Sequence, residues 1–553
     1  MTTLDPTTHD AMMATDSVTS VRKYRAPRRL IMTALVLGWL FDWAFYDKTL
    51  GLSVLLYAGV LVSALISSGF AEDVKLERRG LWLLIPIAAF GVMAFVRANE
   101  FLTFLNISGV VLLLMLYAYY FSAENIITQS ILSYLIVPLK MMTVPWFTSL
   151  RVLAEARQTA PENDSENKLP IVPIVRGLLL ALPILFVFTL LLISADIVFA
   201  QRIEAWFNTP DFSDLFTRFL LIAWISWVAL GALAYALTRG QEILSPEQQA
   251  KVGIEKLETK QWFSLGFIES SIVLGMVNIL FSLFVSIQFA YLFGGLKNIK
   301  LDGYTFAEYA RKGFFELVVV AILVLAMLLV LKGLSSRTTE REAIVFKSLS
   351  TLMVALVTVM LVSAFRRLSI YEWTYGFSEL RLYSHVFIIW LGITLFWFVG
   401  TLWRRPDRFA IGLFVAVIGF VMTLNIVNPD AFIVRQNWRR FQLMEPYLGS
   451  DDANVNLGQV IRGVSVANAR SNPSIILDLY YLTRLSDDAV PELIKINGAL
   501  LQTGNITVND NLIQRGWALT RWQEEQPWQS AHWGYSRALR LLSAEFDPAL
   551  FEY

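Results

Sequence analysis

The chain has 553 residues, of which 56% are hydrophobic and 16% charged, with a mean hydropathy of +0.54; it is too apolar for a water-soluble protein of this length and falls among polytopic membrane proteins. A formal net charge of +1 gives no hint of nucleic acid or of an acidic partner. Cysteine is absent, which removes disulfides, thiolate catalysis and Cys-based metal sites, and His9, His385 and His532 are too dispersed to suggest zinc.

Residues 1–29 read as a disordered tail, because no apolar run starts before Leu30 and no cleavage site follows the first run. Since a helix needs about 20 mostly apolar residues to cross the hydrocarbon core, eleven spans are expected within residues 30–427: 30–46, 49–70, 80–97, 101–121, 173–200, 216–237, 265–293, 313–332, 346–365, 384–402 and 409–427. The apolar run IITQSILSYLIVPL, after the fourth span, is only 14 residues long and reads as interfacial or re-entrant; a crossing there would invert everything that follows. Residues 155–170 are polar and aperiodic, a flexible linker. Residues 239–262 form a loop whose SPEQ sequence, from Ser245, starts a helix by a capping box. From 428 to 553 the composition is that of a water-soluble helical domain, including two short helices joined by SDDAVP and two more over NDNLIQRGWALTRWQEEQ and QSAHWGYSRALRLLSAEF. The fold class is thus an all-α polytopic bundle with a C-terminal helical domain. Counting Lys and Arg in the loops gives 24 on the N-terminal side and 11 on the other, so the N-terminus, the linker and the 239–262 loop are expected in the cytoplasm and the C-terminal domain outside it.

The segment DGYTFAEYARKGFFE, from Asp302 to Glu316, runs directly into an apolar span. Thr305 and Glu308 have capping-box spacing, and Tyr304 and Tyr309 occupy the staple positions, so a helix is expected from Phe306 to about Leu331. Glu308 then has an ordinary structural role and can pair with Arg311 or Lys312. Glu316 lies a turn inside the apolar run, where a carboxylate is costly and marks a functional position by default, the plain alternative being snorkelling or a bond to a neighbouring helix. Under this topology Asp42, Asp196, Gln288, Arg366, Arg367 and the segment Tyr371 to His385 all fall towards the outer side. The sharp reading is a polar cavity open to that side, lined by Glu308, Arg311, Glu316, Arg367, Tyr375, Glu379 and Arg381; the plain one is a set of ion pairs at helix ends. Gly412 and Ala416 read as close helix packing.

Four blocks, YLFGG from Tyr291, GYTFAEYARKGFFEL from Gly303, YGFSELRLYSHVFIIWL from Tyr375 and NPDAF from Asn428, resemble the signature of an uncharacterised bacterial multi-pass inner-membrane family classed as a domain of unknown function. The resemblance covers about residues 170–440. It marks Glu308, Tyr309, Arg311, Glu316, Tyr375, Leu380, Arg381 and Tyr383, and it implies no substrate. Walker, GxGxxG, GxSxG and HExxH motifs are absent, so no metal or cofactor is expected and enzymatic activity stays open. Three functions remain: a transporter, channel or accessory protein with the outward cavity; an envelope sensor or assembly factor that binds a partner through the C-terminal domain, where Trp517, Trp522, Trp528 and Trp533 offer a surface; and a transferase acting on a lipid-linked substrate with Glu308 or Glu316 as base. The bilayer is the expected partner in each.

Overall fold

The computed structural model describes residues 24–158 except 75 and 123–125, scattered positions between 181 and 202, and residues 210–242, 265–293, 313–448 and 477–551. Among these residues the fold is all-helical. Helices α1 (Pro27–Phe45), α2 (Leu52–Ala71), α3 (Leu84–Val96, preceded by a 3-10 turn) and α4 (Glu100–Tyr119) alternate in direction. Then come α5 (Ile131–Gln158), α6 (Pro210–Glu242), α7 (Phe267–Phe293), α8 (Phe314–Leu334), α9 (Glu340–Tyr375), α10 (Glu379–Arg404) and α11 (Phe409–Val427). Among the described residues ten helical segments are long and apolar enough to cross a bilayer, and the protein is a multi-pass membrane protein. The fifth expected span, 173–200, lies largely outside the described residues.

Backbone contacts sort the helix ends onto two faces. On the first face, Glu72 at the end of α2 accepts from the N–H groups of Arg25 and Ala26 at 2.6 and 2.9 Å. There too Glu77 N–H bonds the Phe121 carbonyl beyond α4, Ser122 reaches Ala236 near the end of α6, and Lys332 at the end of α8 reaches Pro406 ahead of α11. The second face holds the end of α1, where buried Asp42 pairs with Arg218 of α6 at 2.6 Å, the α3–α4 and α9–α10 junctions, and the end of α11.

Local sequence accounts for the helix ends. Pro27 occupies the first turn of α1, Asn99 caps α4 by accepting from Leu102 N–H at 3.0 Å, and Thr339 with Glu342 forms a full capping box on α9. Two expected boundaries move. Helix α8 begins at Phe314 rather than Phe306, because Gly313 adopts a φ of +95° that no α-helix continues through. Its 21 residues span roughly 31 Å, close to the apolar core without an overhang. Thr305, Glu308, Arg311 and the two staple tyrosines lie outside the described residues, as does the capping box at Ser245. Helix α9 has 36 residues rather than about 20, so Arg366 and Arg367 lie within it rather than ending it. Residues 131–158 form one helix through Pro138 and Pro145, so the expected linker begins at least three residues later than 155.

Three apolar clusters organise the chain. One joins α1 to α6 with Ala410 and Val421 of α11; the second joins α7 to α10. Leu102, Val386 and Leu424 tie α4, α10 and α11 across the two. The third lies among the C-terminal helices: α12 (Pro429–Leu448), α13 (Leu479–Leu482), α14 (Val490–Gln502), α15 (Thr507–Glu525) and α16 (Trp533–Glu545). One polar pair links two of the helices: Asn106 of α4 and Asn425 of α11, both fully buried, exchange reciprocal amide bonds at 2.9 and 2.7 Å. Replacing Asn106 by Leu leaves half of Asn425 unpaired and should lower stability by about 1–2 kcal/mol. The double Leu variant should recover more than half of the loss in thermal unfolding in detergent, and a neutral single variant would show that the pair adds nothing.

Candidate functional site

The turn between α9 and α10 carries most of the polar residues singled out in the sequence. Helix α9 ends at Tyr375, and Gly376 follows with a φ of +86°, a conformation that favours glycine. A side chain there would also meet Asn437 Oδ1 at 2.8 Å. The Asn437 amide accepts from Phe377 N–H at 2.8 Å and donates to its carbonyl at 2.9 Å. The last carbonyls of a helix lack intrahelical donors and carry the negative end of its dipole. Two guanidinium groups meet them: Arg440 Nε donates to the Trp373 carbonyl at 2.7 Å, and Arg381 Nη1 donates to the Gly376 carbonyl. Arg381 also lies 4.4 Å from the centre of the Tyr371 ring. Arg381 and Arg440 therefore secure the end of α9.

Two residues away, Glu379 faces a different set of groups. It opens α10, and its backbone N–H donates to the Tyr481 hydroxyl at 3.1 Å. Its carboxylate accepts from the Asn99 amide nitrogen at 2.7 Å. That same nitrogen lies 3.1 and 3.3 Å from the two carboxylate oxygens of Asp430, a fully buried residue of α12. Asp430 also accepts from the backbone N–H and hydroxyl of Ser486. Tyr383 donates to Glu379 at 3.4 Å and stacks on Phe101 of α4. Beside this group Asp488 accepts from Ala98 N–H at 3.0 Å and lies 3.8 Å from Arg97. The Arg97 carbonyl lies 3.2 Å from His532 Nε2, while His532 Nδ1 accepts from Tyr535 N–H. That pairing assigns the ring proton to Nε2. The site is a buried polar junction that fastens the C-terminal helices to the heads of α4 and α10.

The other expected site residues are separated. Glu316 is exposed in the first turn of α8, where a carboxylate interacts favourably with the free N–H groups. Among the described residues it forms no ion pair. The Arg367 guanidinium packs against Gly313, where any side chain on residue 313 would collide with it. Tyr375 is exposed, its ring 4.9 Å from that of Tyr371. Glu379 and Arg381 thus have different partners, and neither joins Glu316. His385 is buried against Glu372 at 3.0 Å and Ser369 at 3.1 Å. Gly412 packs on the Trp397 indole. Among the described residues no group of three or more His, Asp or Glu side chains is placed to hold a metal ion. Asn99, Asp430, Ser486, Asp488 and His532 escape a sequence reading, although Asp430 lies in NPDAF and Ser486 and Asp488 in SDDAVP.

Residues 84–496 match the family described as Domain of unknown function (DUF4153), and the chain belongs to that family. The match begins well before the four blocks and takes in the junction residues from Arg97 to Asp488, though not His532. No curated protein and no solved structure matches the chain.

Two buried groups of the junction titrate in opposite directions. Burial, opposed by Arg97 and the Ala98 and Asn99 N–H groups and reinforced by Asp430, pushes the Asp488 carboxyl from 3.8 to about 6. Burial pushes His532 from 6.5 down to about 4. A raised carboxyl favours the folded state as pH falls from about 6 towards 3.8, whereas a depressed imidazole disfavours it as pH falls from 6.5 towards 4. Each amounts to about 3 kcal/mol and the two oppose each other. The protection of C-terminal amides from hydrogen exchange between pH 6.5 and 4 should therefore respond to the removal of either group, relative to the parent chain. It should fall on acidification in Asp488→Asn and rise in His532→Gln, and parallel profiles in all three chains would contradict the assignment.

Proposed function

We propose that the protein is a bacterial inner-membrane protein with a cytoplasmic N-terminus, and that residues 428–553 form an extracytoplasmic domain that senses or assembles with an envelope partner. The orientation rests on the Lys and Arg bias of the loops, with Arg25, Arg28, Arg29, Arg78, Arg79, Arg404, Arg405 and Arg408 all gathered at the first face. The sensing role rests on one observation: the Asn99 amide is shared by Glu379 and Asp430. A displacement of α12 by a partner removes a ligand from the heads of α4 and α10 together, and these helices belong mainly to different apolar clusters, which meet at Leu102, Val386 and Leu424. An event outside the membrane is in this way converted into a change between the two halves of the bundle.

The transporter reading has less support, because Glu379 and Arg381 have separate partners and, among the described residues, neither meets Glu316. The transferase reading relies on Glu308, which lies outside the described residues, or on Glu316, on which nothing converges among the described residues.

The absence of cysteine permits a direct test. Thr49 and Gln526 bond across the domain junction at 3.4 Å, and pairing Thr49→Cys with Gln526→Cys should lock the C-terminal helices to the α1–α2 loop. In a strain lacking the native gene, the oxidised pair should fail to complement and recover under a reductant, while each single variant complements. A chain ending at Leu448 should insert without complementing. Full complementation by the locked or shortened chain would sink the sensor reading.

A further inference from the structure

We infer that α5, although long and apolar enough to span a bilayer, lies within the leaflet of the first face, with its outer row in acyl chains and Lys140 and Arg151 at anionic headgroups. Both ends are tied to that face. Near the start, Tyr134 bonds the Ile126 carbonyl and stacks on Phe414, 5.0 Å away and little more than a turn into α11. Near the end, Glu155 accepts from Tyr24 N–H at 3.1 Å, next to the Arg25 and Ala26 amides that bind Glu72. Midway α5 crosses α6 at Gly231, where a side chain would collide with Pro145 and meet Ser149 Oγ at 2.7 Å. Ser149 bonds the Trp227 carbonyl there at 2.7 Å.

The contacts of α5 with α6, at Gly231 and Trp227, lie eight and twelve residues before Arg239 at the first-face end of α6, roughly 12 and 18 Å along that helix, so the deepest part of α5 reaches about the middle of the ~30 Å core. A crossing helix would carry Glu155 to the opposite face from Tyr24. Instead, α5 enters, passes beneath α6 and returns. Its lengthwise halves differ: Tyr134, Val137, Met141 and Val152 are buried, whereas Leu132, Leu135, Leu139, Met142, Trp146 and Leu150 form an exposed row at helical spacing. Acyl chains are the occupant that suits a row lying at leaflet depth and continuous with the exposed apolar sides of the spans. Lys140 and Arg151 are exposed and, among the described residues, form no ion pair, which fits anionic headgroups at the same level.

Single cysteines in the full-length chain test this, using a membrane-impermeant maleimide on intact cells and on inverted vesicles. Ser130→Cys and Ala154→Cys should both label from the same side as Arg79→Cys and from the opposite side to Glu100→Cys. If Ala154→Cys follows Glu100→Cys, α5 is a span and the inference fails. All four positions are exposed, so the substitutions leave the packing intact. Nitroxides attached at Leu135→Cys, Met142→Cys and Leu150→Cys, in vesicles containing phosphatidylglycerol, should report depths within one leaflet; a passage through the midplane overturns the proposal. The depth at residue 142 should change on going to pure phosphatidylcholine, and Lys140→Gln with Arg151→Gln should abolish that change. A lipid-independent depth in the parent chain would refute the headgroup contact.

Discussion

One amide nitrogen holds two carboxylates and three parts of the fold. Asn99 caps α4 with its oxygen and offers its NH2 to Glu379 of α10 and Asp430 of α12. A fully buried and a half-buried acidic group that share a donor repel each other, and leaving either unpaired is costly. The arrangement persists because each carboxylate has further donors: Tyr383 for Glu379, and the Ser486 amide and hydroxyl for Asp430. The network is satisfied only when α4, α10, α12 and the Ser486 turn are all in place, which makes it specific for one docking of the C-terminal helices.

Around that junction the charged residues divide by task. Arginines 381 and 440 serve carbonyl groups at the end of α9, where a planar guanidinium supplies several donors and a positive charge to a negative dipole. Apart from the Arg97–Asp488 contact, the acids serve amides, either at helix starts or in the α3–α4 loop. Opposite charges are therefore close in sequence without being paired to each other. Backbone groups at helix ends, which hydrocarbon leaves no water to satisfy, account for a large share of the polarity at the second face.

Most of the spans were legible because about 20 consecutive apolar residues have few other uses. The start of α8 at Phe314 follows from the left-handed Gly313 before it, a conformation that no hydropathy pattern announces, while the capping box and staple upstream lie outside the described residues. The length of α9 was underestimated because its polar ends, from Glu340 and beyond Arg366, are helical for reasons of capping rather than hydropathy. Glu379 and Arg381 stand out in the sequence as polar residues beside a span, but their partners lie up to 280 positions away. Periodicity reports which side of a helix is apolar and is silent about which neighbour a polar side chain meets. Asn99 and Asp430 look like ordinary helix-start residues, and only the tertiary arrangement gives them a common role.

The join between α11 and α12 has a mechanical meaning. Helix α11 ends at Val427, α12 starts at Pro429, and Asn428 between them is left-handed with a φ of 53°. The proline ring fixes one of the next dihedrals, so little slack separates a membrane span from the first helix outside it. Two stiff rods that meet at one residue act as a bell crank. A tilt of the outer arm must either be taken up at Asn428 or turn α11 within the bundle, and the Asn106–Asn425 pair sits three residues inside that pivot.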